Sequence, residues 1–145
     1  MRLSDVWFTA FLENESGQMM TLRGRDELEE FIQSGKFKER AEVSWKYEAD
    51  NSGLPDERLA ERMEMVEEAL RKAMEKDKLA ILTGAYMGGG ERLWVFYTRT
   101  TRVFGERLNE ALAGFERLPI TIYTEIDPDW EEYRDMYELK ANAVD

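Results

Sequence analysis

Ala41-Glu42-Val43-Ser44-Trp45-Lys46-Tyr47 is the stretch on which the reading of this chain turns. Ala41, Val43, Trp45 and Tyr47 alternate with Glu42, Ser44 and Lys46, so a strand here buries one face and wets the other. Toward the C-terminus, Asp50-Asn51-Ser52-Gly53-Leu54-Pro55 reads as a loop, and Pro55 has φ already set for the first turn of a helix. That helix runs to about Asp77, with Leu59, Met63, Val66, Leu70 and Met74 as its apolar stripe. Its opposite, solvated face pairs Glu67 with Arg71 and Glu68 with Lys72 at the i,i+4 spacing.

Residues 79–87 and 93–99 form two further strands, joined through Gly88-Gly89-Gly90 as a hairpin. The second is apolar on both sides: Leu93, Val95 and Tyr97 face one way, Trp94 and Phe96 the other. Val103 or Phe104 with Leu108, Ala111, Leu112 and Phe115 marks a third helix. Pro119 then opens a strand that ends at Ile126. The turn Asp127-Pro128-Asp129 leads into a short helix over residues 130–137. Before Ala41, residues 6–12 and 19–22 read as a hairpin. A helix follows, with Asp26 as N-cap, Glu29 closing a capping box and Gly35 as its stop.

The order from Ala41 onward is strand, helix, strand, strand, helix, strand. This is the βαββαβ pattern of a ferredoxin-like, split βαβ α/β sandwich, and right-handed crossovers put both long helices on one face of the sheet. The expected fold class is therefore α+β in a single domain: hairpin and helix over 1–40, the ferredoxin-like unit over 41–126, and a C-terminal helix and tail over 127–145. The two-sided apolar strand then requires a cover on its second face, from the N-terminal hairpin, the C-terminal helix or a partner.

Composition narrows the chemistry. The 145 residues hold 20 Lys plus Arg against 31 Asp plus Glu, a net charge of −11. Such acidity opposes nucleic acid and anionic membrane as partners, because phosphate neutralisation drives that binding. With no Cys and no His, the chain lacks thiol and imidazole nucleophiles, bases and metal ligands. Asp5 interrupts what a signal peptide would keep apolar, and no apolar run reaches the ~20 residues of a membrane span, so a soluble, cytoplasmic protein is expected.

Four motifs occur in order: Val43-Ser44-Trp45-Lys46-Tyr47; Gly53-Leu54-Pro55 before a long acidic helix; Gly88 to Arg92 leading into Trp94-Val95-Phe96-Tyr97; and Asp127-Pro128-Asp129-Trp130-Glu131-Glu132-Tyr133. On these the chain resembles a bacterial family of unknown function, number 695, over nearly its whole length. That family is similar in places to B-type regulators of ribonuclease E activity. The resemblance implies an α/β sandwich that acts by binding protein, and it supplies no catalytic residues.

Each candidate site has a plainer alternative. Asp127, Asp129, Glu131, Glu132 and Asp135 offer oxygen ligands for a hard cation, yet they also suit a helix start, with Asp127 or Asp129 as cap. The triple glycine lacks the Lys-Ser/Thr ending and the following helix of a phosphate loop, and fits a turn. Trp94 to Tyr97 sit where RNA-recognition motifs display stacking aromatics, but the charge opposes RNA. Arg92, Arg99 and Arg102 form a small basic group that suits an anion pocket or balances local acids. The residues expected to bind a partner or ligand are Arg92, Trp94, Phe96, Tyr97, Asp127, Asp129, Trp130 and Tyr133. The expected function is that of a non-enzymatic protein-binding regulator or inhibitor, of the kind an immunity protein represents. Its partner is another, basic protein, with a homodimer as a further possibility and no cofactor. The alternative is a small enzyme or ion-binding domain built on the 127–135 acids.

Overall fold

Strand patterning, turn glycines and one long amphipathic helix generate an α+β architecture around a six-stranded, wholly antiparallel sheet. The computed structural model describes residues 1–144. Its elements are β1 (Trp7–Glu13), β2 (Met19–Arg25), α1 (Glu29–Ser34), β3 (Glu39–Lys46), α2 (Glu57–Glu75), β4 (Ala80–Gly88), β5 (Glu91–Thr98), α3 (Thr101–Ala111), β6 (Ile120–Ile126) and α4 (Glu131–Tyr137), with a 3-10 turn over Glu138–Asn142. The strand order is β1-β2-β4-β5-β3-β6, so β3 to β6 occur side by side as β4-β5-β3-β6 and the N-terminal hairpin extends the sheet beyond β4.

The alternation read in residues 41–47 sets the first core. Ala41, Val43 and Trp45 point to the same face as Trp94 and Phe96, where they meet Met63, Val66, Leu70 and Met74 of α2 and Phe104 and Leu108 of α3. Both long helices lie on this face, as right-handed crossovers require. Each of those α2 side chains is fully buried, and truncating Met63, Leu70 or Met74 to Ala costs about 2–5 kcal/mol. The second core lies on the opposite face. There Ile81, Val95 and Tyr97 pack against Phe31 and Phe37 from the α1 region and Trp130, Tyr133 and Met136 from α4. The C-terminal helix, with α1, thus covers the second side of β5, and the N-terminal hairpin instead lengthens the sheet.

Two glycines are fixed by close approach. A Cβ on Gly24 of β2 would fall 2.3 Å from the Phe8 ring and 2.7 Å from Met136 Sδ, so any larger residue there would push both side chains aside where α4 meets the sheet. Gly88 has φ 147°, and a Cβ there would meet the Met19 carbonyl at 2.7 Å. The Gly88-Gly89-Gly90 turn is a hairpin, all three residues with positive φ, and the Gly90 N–H donates to the Gly53 carbonyl at 3.1 Å.

Two helix starts differ from the sequence expectation. Leu28 caps α1 without a side-chain bond, because Asp26 is taken up elsewhere: Tyr137 Oη donates to it at 2.8 Å and Lys140 Nζ pairs with it. The capping box therefore does not form. Asp56 caps α2 and accepts from the Leu59 N–H at 2.8 Å, which leaves Pro55 just outside the first turn.

Candidate functional site

The strands carry the residues singled out in the sequence to opposite faces. Trp94 and Phe96 are fully buried beneath α2 and α3, so neither offers a surface. Tyr97 lies on the other face, stacked on Trp130 at 4.1 Å and 16°, with Tyr133 edge-on to Trp130 at 5.4 Å. Trp130 Nε1 donates to the Phe37 carbonyl at 2.8 Å, and Tyr133 Oη to the Arg25 carbonyl at 2.5 Å. The indole N–H of Trp130 and the hydroxyl of Tyr133 are thus both satisfied inside the core.

Asp127 organises this second face. It accepts from Tyr97 Oη at 2.6 Å, from Arg40 Nη1 at 3.0 Å, and from the backbone N–H groups of Glu131 and Glu132 at 2.9 and 3.3 Å. Burial works against its charge, yet the Tyr97 bond, the two amides and Arg40 together hold its carboxyl below the usual range. Asp127 thus serves the first turn of α4, as the cap reading expects, and also ties that helix to β5 and β3. Asp129, Glu131 and Asp135 point to solvent. Among the described residues no group of three or more acids is placed to hold a metal ion.

Glu132 behaves differently from its neighbours. It turns toward the sheet, where Tyr86 Oη donates to Oε1 at 3.3 Å and Oε2 is buried without a partner. Burial, reinforced by Glu42 and opposed by Arg40, pushes its carboxyl up to about 7. Arg40 meanwhile is committed to Glu42, Glu125 and Asp127 at 2.7, 2.6 and 3.0 Å.

A second polar constellation lies under α2. Glu67 is only 5% exposed and accepts from Arg23 at 2.7 Å, Arg92 at 2.9 Å and Trp94 Nε1 at 2.9 Å. Burial disfavours its charge, but Arg23 and Arg92 outweigh that and keep it ionised below the usual carboxylate range. Nearby, Arg25 is 2% exposed and donates to Glu75 at 2.8 Å and to the Leu82 carbonyl at 3.0 Å. Trp7 lies against the guanidiniums of Arg23, Arg25 and Arg71 at 4.8–5.2 Å. The expected Glu67–Arg71 surface pair does not form; Arg71 pairs with Glu75 instead, at 3.6 Å. The signal for Glu67 was present: Met63, Glu67, Leu70 and Met74 follow one another at helical spacing, so a carboxylate sits within the apolar stripe. The basic group does not converge either. Arg92 is buried on Glu67, Arg99 donates to the Lys78 carbonyl, and Arg102 pairs with Glu106 at the surface.

Above this network the outer face of α2 is open. Glu57, Glu61, Glu64 and Glu68 are exposed at i, i+4, i+7 and i+11, hence on one side of the helix. Beside them Met65 is 61% exposed and Leu54 42%. Glu64 and Met65 border a groove of about 730 Å³ that continues along α2. Glu64 also joins Leu54 in lining an adjacent cavity of about 190 Å³.

A family model described as "Family of unknown function (DUF695)" matches residues 5–137. The chain belongs to this family. The match extends from just before β1 to the end of α4, so both cores and both polar constellations fall inside the DUF695 region. No curated protein and no solved structure matches the chain. No helix among the described residues of this DUF695 chain is long and apolar enough to cross a membrane.

Proposed function

We propose that this DUF695 protein is a non-enzymatic protein-binding regulator or inhibitor, and that it engages a basic partner through the outer face of α2. The observation that carries the reading is the row of Glu57, Glu61, Glu64 and Glu68 flanking exposed Met65 and Leu54. Negative potential steers a cationic partner and sets its orientation, while a small apolar centre supplies area to bury. The net charge of −11 works in the same direction. We also take the β3-α2-β4-β5-α3-β6 unit to be ferredoxin-like, on the strength of its β4-β5-β3-β6 strand order and its two helices on one face.

The test compares wild type with a Glu57→Lys/Glu61→Lys/Glu68→Lys variant as bait in lysate, at low salt and at about 0.5 M. A basic protein held by wild type, released by salt and missed by the variant is the expected result. Equal recovery by the variant, or no salt-sensitive basic protein at all, counts against the proposal. A second reading, acid–base or ion-binding chemistry at the 127–135 acids, draws on Glu132 alone, the one carboxylate there pushed toward neutrality. Calcium, magnesium and manganese titrations by thermal shift decide it, since specific binding must raise the midpoint and Glu132→Gln must abolish the rise.

A further inference from the structure

The two edges of the sheet are treated differently. At one end, Thr9 of β1 bridges to Val144, whose N–H donates to the Thr9 carbonyl at 2.9 Å, so the chain's own C-terminal segment lies along that edge. At the other end, β6 pairs with β3 on one side and, among the described residues, with nothing on the other. The ladder phase shows which groups are left over. The Asp127 N–H donates to the Lys38 carbonyl at 2.8 Å, one step beyond the Glu39–Ile126 pair. Odd-numbered residues of β6 therefore bond inward, and the N–H and C=O groups of Ile122, Thr124 and Ile126 face out. Ile126 is 77% exposed, Tyr123 55% and Ile122 41%.

A strand with this composition, Ile120-Thr121-Ile122-Tyr123-Thr124-Glu125-Ile126, lacks the lysines, prolines and bulges that normally blunt an edge. We infer that β6 pairs antiparallel with β6 of a second copy of this chain, about a two-fold axis through Tyr123 perpendicular to the sheet. The sequence is self-complementary in that register. Ile120 falls opposite Ile126, Ile122 opposite Thr124, and Thr121 opposite Glu125, so all seven residues pair and no like charges meet. Glu125, the strand's single charge, is paired with Arg40 at 2.6 Å. Two copies then share one twelve-stranded sheet with both long-helix layers on the same side. The inference is independent of the α2 reading and uses a different surface. Each copy carries −11, so screening by salt tightens the pairing.

The test is light scattering across protein concentration and salt, with amide exchange followed at Ile122, Thr124 and Ile126. The expected result is twice the 17.0 kDa chain mass at high concentration, favoured by salt. Those three amides should gain at least tenfold protection on association. Thr124→Pro, which removes an outward N–H and leaves the β3 ladder intact, and Ile122→Lys, which changes only a side chain, should both return the mass to that of one chain. The Lys variant guards against misfolding of the Pro variant. A wild type that stays monomeric in 0.5 M salt overturns the inference and leaves the edge to a strand of some other protein. A dimer unmoved by a folded Ile122→Lys variant, with no protection at the three amides, overturns it as well.

Discussion

Glu67 and Glu132 are both carboxylates turned toward the sheet, one on each face, and their surroundings give them opposite behaviour. Glu67 is paired on three sides, so its removal strands Arg92 without its closest partner in the interior. Glu67→Ala should cost about 3–5 kcal/mol in chemical denaturation, whereas Glu68→Ala on the exposed side of the same helix should change stability by less than about 0.5 kcal/mol. Glu132 is protonated in the folded protein up to about pH 7 but in the unfolded chain only up to about 4.5. Between those values the native state holds the extra proton, so stability falls as pH rises through the window. We expect a loss on the order of 2 kcal/mol across it, less than full burial would give because the side chain keeps some exposure. Glu132→Gln should flatten that slope, and urea melts from pH 4.5 to 8 measure it. The sequence marked Glu132 only as one acid among five. Nothing local distinguishes it, because its environment comes from Tyr86, Glu42 and Arg40 on two distant strands.

At the level of elements, α4 is the most conditional piece. Seven residues are too few to hold a helix in isolation, so its stability is borrowed from Trp130, Tyr133 and Met136 in the second core and from Asp127 at its start. Tyr97→Phe deletes the hydroxyl that donates to Asp127 and accepts from the Tyr133 N–H. The amides of Glu131, Glu132 and Tyr133 should then exchange about tenfold faster, while those of β3 and β5 keep their rates. Period and spacing made β3, α2, the glycine hairpin and both faces of β5 legible in advance. They could not reveal the fate of Asp26. A capping box is a local pattern, and Tyr137 and Lys140, more than a hundred positions away, offered stronger bonds to the same carboxylate. For the same reason the sequence left open what covers the second face of β5, which the packing of the α1 region and the return of residues 127–137 across the sheet decide together.

For the molecule as a whole, the charges divide into two populations. The fully buried ones balance, with Arg25 and Arg92 against Glu67 and Asp127, so the surplus of −11 resides at the surface. Self-repulsion of that surplus opposes the folded state and is screened by salt, whereas the interior pairs are sheltered from it. The melting temperature should therefore rise between about 10 mM and 500 mM sodium chloride at pH 7; a fall would mean that exposed ion pairs contribute more than repulsion costs.

The seating of Met136 over Gly24 also gives α4 a chemical reporter. Met136 is almost wholly enclosed, while Met1, Met19 and Met65 lie open. Peroxide should convert those three to sulfoxides quickly, and reach Met136 only during excursions that lift α4 from the sheet. Once a polar sulfoxide forms there it no longer fits the gap that Gly24 provides, so each such event traps the helix undocked until a reductase restores the thioether.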